Sequence, residues 1–312
     1  MTKRVAPREV KKKFKDSLLA FFQSVKGKIR IDEPLSHHTS FKIGGPASLF
    51  VVPQNYQDIV VARKFAETQR IPFRILGNGT NLVVDDRGVR GLVVKIDHQF
   101  AKAWVKGGSI YAQAGCLNKT LGNLALKQEL SGIEFLNDIP GSLGGAIYMN
   151  AGAYGGEIKD VVKRVKVIDH HQRIRWIDKK KLKFSYRQSI FKEYPWIILE
   201  AELKLKRGKT REIKSKMKEL KLQRAAKQPL EFPSAGSVFK RPPKNYAGRL
   251  IMEAGCKGMR VGGAEVSLKH AGFIINRNHA TAQDVKILIK RVQKRVLRKF
   301  GIKLEKEVIF WN

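Results

Sequence analysis

Phe73-Arg74-Ile75-Leu76-Gly77-Asn78-Gly79-Thr80-Asn81-Leu82 runs a short apolar strand straight into a turn with two glycines. A second cluster lies downstream, Pro140-Gly141-Ser142-Leu143-Gly144-Gly145-Ala146, and continues through Asn150-Ala151-Gly152-Ala153-Tyr154-Gly155-Gly156. Glycine lets backbone amides approach a phosphate with no Cβ in the way, and tight turns aim several N–H groups at one anion. An isolated Gly-x-Gly most often marks a turn and nothing more. Neither cluster completes the GxGxxG fingerprint, and no Gly-Lys-Ser/Thr follows. Two such clusters in one chain instead suggest a pyrophosphate held between separate loops, a dinucleotide bound without the doubly wound fold.

Outward from the first cluster, residues 48–52 and 92–96 predict strands bounded by proline or glycine, and 58–67 a helix with helical apolar spacing. Residues 118–128 predict a helix ahead of the second cluster. Strands are expected at 161–168, 197–205 and 272–276, and a polar helix near 214–227. Residues 229–243 form a loop rich in Pro, Gly and Ser, 282–300 a strongly periodic helix, and 305–309 a final strand. The fold class is α+β. Residues 1–29 are expected to be a basic, poorly ordered tail (1–16) leading into an amphipathic helix. Residues 30–215 then form one region, and 216–312 a C-terminal domain.

The chain has 312 residues and 43% apolar content, enough for two or three packed layers. The two cysteines, Cys116 and Cys256, have no CxxC spacing and are expected to be free thiols in a reducing compartment. No apolar run approaches the roughly 20 residues that span a bilayer, and the first residues lack a signal-peptide core. A cytoplasmic protein without membrane insertion or a metal site is expected.

Lys and Arg number 62 against 27 Asp and Glu, a formal net charge of +35. Such an excess suits a nucleic-acid binder, but the basic residues are scattered, with one dense tract at 11–15. There is no paired Cys/His spacing and no aromatic-basic strand motif, so no specific nucleic acid is expected. The field favours anionic substrates such as nucleotides in any case.

Motifs of one family occur in order from about 35 to 308. His38-Thr39-Ser40-Phe41-Lys42-Ile43-Gly44-Gly45-Pro46-Ala47 opens the series and the two glycine clusters follow. Then come Tyr186-Arg187-Gln188-Ser189, Pro233-Ser234-Ala235-Gly236-Ser237-Val238-Phe239-Lys240 and Leu304-Glu305-Lys306-Glu307-Val308. Each motif is weak alone; in this order and spacing the chain resembles the UDP-N-acetylenolpyruvoylglucosamine reductases. The resemblance implies a vanillyl-alcohol-oxidase/PCMH-type FAD-binding region followed by an α+β substrate-binding domain. It also implies FAD as cofactor, NADPH as co-substrate and an enolpyruvyl UDP-sugar as substrate in peptidoglycan precursor synthesis. The FAD-binding residues would be Gly77, Asn78, Gly79, Thr80, Asn81, Leu82, Pro140, Gly141, Ser142, Gly144, Gly145, Ala146, Asn150, Gly152 and Ala153. Where the family often has Asn after its Phe-Lys, this chain has Arg241-Pro242-Pro243, and residues 191–229 are too short for the extra tyrosine-bearing loop of some members. That places it with the loopless subtype.

The family's catalytic residues map onto Arg187, Ser237 and Glu307, with Tyr186, Lys240 and Arg241 as substrate contacts. The chemistry asks for such residues. Hydride addition to an enolpyruvyl double bond leaves negative charge beside a carboxylate, which must be stabilised and then protonated. The planar, permanently charged fork of Arg187 suits that carboxylate. Ser237 can deliver the proton, with Lys240 a source of activation. Glu307 would repel the developing charge unless burial keeps it protonated or Arg187 pairs with it. Two rival readings stand beside this one: another oxidoreductase of the same flavoprotein superfamily, and a basic nucleic-acid-binding protein.

Overall fold

A computed structural model describes the backbone of residues 7–312 and side chains from Lys15 onward. Residues 1–6 of the expected tail lie outside the described residues. Residues 7–16 do not: Pro7–Ser24 is one continuous helix, longer than the amphipathic segment expected from Ser17. Its buried Phe21 stacks on Phe65 at 4.3 Å, which docks the leading helix on the main core.

Two sheets build the larger part. The first is four-stranded, in the order Lys28–Pro34, Pro46–Val52, Val89–Lys95, Phe73–Leu76, with only the first pair antiparallel. The second is a five-stranded antiparallel sheet in the order Ile174–Asp178, Val162–Ile168, Ile197–Lys204, Ser109–Gln113, Ala103–Lys106. The central strands of the first sheet show why their sequences are continuous apolar runs. Leu49, Val51, Leu92 and Val94 face the main core with the second sheet, while Phe50 and Val93 face a separate cluster with Leu35 and Val84. A strand buried on both faces has no polar side to alternate with.

The C-terminal part packs an antiparallel sheet, in the order Ser234–Ser237, Phe273–Asn276, Ala264–Val266, Arg260–Val261, against the helix Ala282–Phe300. That helix buries Val285, Leu288, Ile289, Val292 and Val296 along one stripe. Thr281 and Asp284 form its capping box, and Gly301, at φ 68, ends it in a left-handed turn. Its first turn is also capped from the other part of the molecule. Asp86 accepts from the Ala282 and Gln283 amides at 2.7 and 3.1 Å, and Asp85 accepts from Lys286 Nζ at 2.6 Å.

Four expectations need correction. The second glycine cluster is not all loop, since Leu143–Met149 is a short helix. The segment 229–243 contains the strand Ser234–Ser237, formed by pairing with Phe273–Asn276. The closing strand is Ile309–Trp311, because parallel pairing with Leu82–Val84 begins only at Ile309. Finally, Thr210–Lys227 is one helix running across the expected boundary after 215, with its Leu220 in the main core. We therefore propose the division between the two parts after Lys227.

Candidate active site

The first glycine turn begins where Phe73–Leu76 ends. Gly79 adopts φ +61, and a Cβ there would fall 2.2 Å from the His38 carbonyl oxygen, so the protein itself requires glycine. Thr80 Oγ1 donates to the Pro140 carbonyl at 3.1 Å and ties this turn to the second. In the second cluster each glycine answers a different demand. Gly141 adopts φ +133. Gly144 is packed against Ala114, whose Cβ would be 3.0 Å from its own, and its N–H already donates to the Ala114 carbonyl. Gly145 differs: its Cβ would meet only Ser142 Oγ, at 3.9 Å, and it lines open space.

That space is a cavity of about 530 Å³. Both turns line it: Gly77 through Leu82, then Pro140, Gly141, Ser142, Gly144, Gly145 and Ala146, with Gly152 and Ala153 beyond. Arg187, Ser237 and Glu307 line it too. Asn118 and Asp138 also line it, and Asn118 Oδ1 and Asp138 Oδ2 are buried acceptors with no hydrogen-bond partner among the described residues. Buried polar atoms are normally satisfied, so these two ask for a donor brought by a ligand. Bare glycine backbone for a pyrophosphate and unfilled acceptors for hydroxyl or amino groups fit FAD.

Another part of the lining consists of side chains. Ser185 and Gln188 exchange both backbone hydrogen bonds, at 3.2 and 3.0 Å, so Tyr186 and Arg187 form a two-residue turn. Arg187 sits there at φ 56, a left-handed conformation uncommon for arginine. Its Nε donates to Glu307 Oε1 at 2.5 Å and its Nη2 to the Gly152 carbonyl at 3.1 Å. Glu307 reaches this point because its N–H donates to the Val238 carbonyl at 2.8 Å, while Asn81 Nδ2 donates to its carbonyl at 3.2 Å. Burial pushes the Glu307 carboxyl above the usual glutamate range, against the opposing pull of Arg187, Lys192 and Lys240. Burial and the pairing with Arg187 thus act on this carboxyl in opposite directions, and the upward push of burial prevails. Ser237 ends its strand opposite Phe273 on the same cavity.

Four expected site residues stand elsewhere. Asn150 is fully buried and does not line the cavity. Its amide nitrogen donates to Glu157 and to the Ser185 carbonyl, and its oxygen accepts from the Lys159 amide, so it braces the Arg187 turn instead of facing a cofactor. Tyr186 and Arg241 lie outside the cavity wall, joined by the Arg241 amide donating to Tyr186 Oη at 3.1 Å. Lys240 Nζ pairs with Glu305 at 3.0 Å, which occupies the group expected to activate Ser237. Conversely, Asn118, Asp138 and Arg224 line the cavity without having been singled out. No spacing marks them: each lies among other polar residues, as Asn118-Lys119-Thr120, Asn137-Asp138 and Gln223-Arg224 show.

Residues 47–178 match the family model of an FAD binding domain. With the cavity described above, this makes the chain a flavin-dependent oxidoreductase. Residues 228–311 match the C-terminal domain of UDP-N-acetylenolpyruvoylglucosamine reductase. The chain is 51% identical to the UDP-N-acetylenolpyruvoylglucosamine reductase of Caldanaerobacter subterraneus over 90% of its length and 93% of the relative's. It is 49% identical to UDP-N-acetylenolpyruvoylglucosamine reductase 2 of Bacillus cereus, over 90% and 92%. The crystal structure of the Thermus caldophilus reductase superposes with a TM-score of 0.79 at 36% identity, covering 92% of this chain and 99% of that one. The chain belongs to the UDP-N-acetylenolpyruvoylglucosamine reductase family, FAD-dependent oxidoreductases of peptidoglycan precursor synthesis.

Proposed function

We propose that Arg187, Ser237 and Glu307 carry out the reduction of an enolpyruvyl UDP-sugar to the UDP-muramate product. The observation that supports this is the meeting of Arg187, Glu307 and Ser237 with both glycine turns on one cavity. When bound there, FAD supplies the hydride that NADPH provides. Arg187 turns its fork from Glu307 and Gly152 toward the substrate carboxylate and stabilises the charge that grows beside it. Ser237 donates the proton; a hydroxyl is a poor acid, but against a strongly basic centre held close by, positioning supplies most of the effect. Glu307, its carboxyl raised by burial against the pull of Arg187, holds the guanidinium until the substrate carboxylate takes its place. Tyr186 and Arg241, joined outside the cavity wall, contact the UDP moiety.

Among the described residues no helix is long and apolar enough to cross a membrane, and both cysteines are free and buried. These features support work in the cytoplasm. The test is direct: purified protein should be yellow and release FAD on denaturation. It should oxidise NADPH only when the enolpyruvyl UDP-sugar is present. Colourless protein, or NADPH oxidation indifferent to that sugar, would overturn the assignment.

A further inference from the structure

The Tyr186–Arg187 turn poses a problem that its own hydrogen bonds do not solve. An arginine at φ 56 holds an unfavourable conformation, and such conformations persist only where the surroundings over-determine them. Glu307 and Gly152 hold the guanidinium, but a substrate carboxylate must take it over during the reaction. Something else has to fix the backbone while the side chain changes partners. Lys192 does so. Its Nζ donates to the Arg187 carbonyl at 2.8 Å, the carbonyl of the strained residue itself. Lys192 is in turn well seated. Its own amide donates to the Ser189 carbonyl at 3.1 Å, and its ammonium lies 5.7 Å from the centre of the Tyr148 ring. Ser189 is buried, and its Oγ donates to the Tyr148 carbonyl at 2.7 Å. Tyr148 lines the cavity.

We propose that Lys192 is a positioning residue for the reduction of the UDP-sugar, pinning the Tyr186–Arg187 turn so that the guanidinium can exchange Glu307 for the substrate carboxylate. It rests on the role assigned to Arg187 above. Lys192 does not line the cavity; it touches Arg187 through its ammonium, and its charge also reaches Glu307. The groups acting on Glu307 are Arg187, Lys192 and Lys240, all cations that oppose the upward push of burial. Removing the Lys192 cation should therefore raise the Glu307 carboxyl further, a change that a purely structural residue would not produce.

The experiment separates the half-reactions in stopped flow, using NADPH and the enolpyruvyl UDP-sugar with FAD-loaded enzyme. Lys192→Met should leave flavin reduction by NADPH unchanged and slow reoxidation by the UDP-sugar roughly tenfold or more, since small misplacements of a binding group carry costs of that order. The carboxyl limb of the reoxidation pH profile should move to higher pH, and Lys192→Arg should restore both rate and limb. Reoxidation at the parental rate, equal slowing of both halves, or an unmoved limb overturns the proposal. If Lys192→Met does not retain FAD, Lys192→Gln decides. As a neutral donor it should keep the rate and move the limb; an unmoved limb overturns the proposal. If Arg187→Lys proves as fast as the parent, the underlying role of Arg187 fails. If Arg187→Lys is slow and Lys192→Met is not, only the role of Lys192 fails.

Discussion

The wall formed by the glycine turns and the wall formed by Arg187, Ser237 and Glu307 face one cavity, but they are made of different material. The first is backbone from two neighbouring turns, stitched by Thr80 and Pro140, with no charged side chain among Gly77–Leu82 or Pro140–Ala146. The second is side chain, gathered from three distant segments and held by an ion pair at 2.5 Å. Backbone can cradle a ligand that stays, because it has little freedom to lose on binding. Side chains suit a group that must change partners within each turnover. In the roles proposed above, cofactor and substrate meet surfaces matched to how long each remains.

Three substitutions test that contrast, and a fourth tests the link between the two parts of the molecule. The largest effect is expected at Gly145, whose Cβ direction faces the cavity and meets no backbone. Gly145→Val should leave the protein folded by circular dichroism but colourless; normal flavin content would break the backbone half of the contrast. Gly79 is a poorer probe, because its substitution also clashes with His38. Next, Ser237→Ala should leave flavin bleaching by NADPH near normal and slow colour recovery on adding the UDP-sugar by about 10²–10⁴-fold, the usual worth of a general acid. Equal slowing of both steps would make Ser237 structural, and no slowing would shift the proton to Glu307.

Arg187→Lys keeps the charge and loses the fork, and turnover should fall by about tenfold or more, roughly 1.4 kcal/mol of transition-state stabilisation. A lysine variant with parental turnover would reduce Arg187 to surface charge. The smallest effect concerns the link between the two parts. The hydrogen bond from Lys286, aided by the Arg87 amide, holds the Asp85 carboxyl down at about 2, below its ordinary 3.8. A depressed folded value means the stabilisation is complete above the ordinary range and is lost as pH falls toward about 2. Asp85→Asn should cost roughly 1–2 kcal/mol at neutral pH, read by denaturant titration, with the deficit shrinking on acidification. A deficit independent of pH would show that the pair contributes nothing through its charge.

The same contrast explains what the sequence made legible. The glycine turns could be read directly, because bare backbone at the end of an apolar strand leaves a visible mark. The helix Ala282–Phe300 was legible to its ends, since Thr281, Asp284 and Gly301 cap it locally. Lys28–Pro34 was not: Lys28-Ile29-Arg30-Ile31-Asp32 alternates, but the run is short and mostly exposed, Ile31 included, so the alternation marks no buried face. Ser234–Ser237 was hidden for another reason. Small residues with weak strand preference become a strand only through the partner Phe273–Asn276. Arg187, Ser237 and Glu307 were visible only through family motifs, because nothing local brings together residues so far apart. Asn150 misled because it closes a glycine-rich run; its amide is consumed inside the protein.

The reach of those pairings also bears on how the enzyme comes to be folded. Arg187 to Glu307 spans 120 positions, and the Asn81–Glu307 link spans 226. Closing loops of that size carries an entropic cost that must be met before the contacts return anything, so such pairings form late. The sheets of the larger part can assemble while the side-chain wall is still absent. On refolding from denaturant, the recovery of secondary structure should therefore run ahead of the recovery of catalysis, and the interval between them is the time the chain needs to bring Glu307 home.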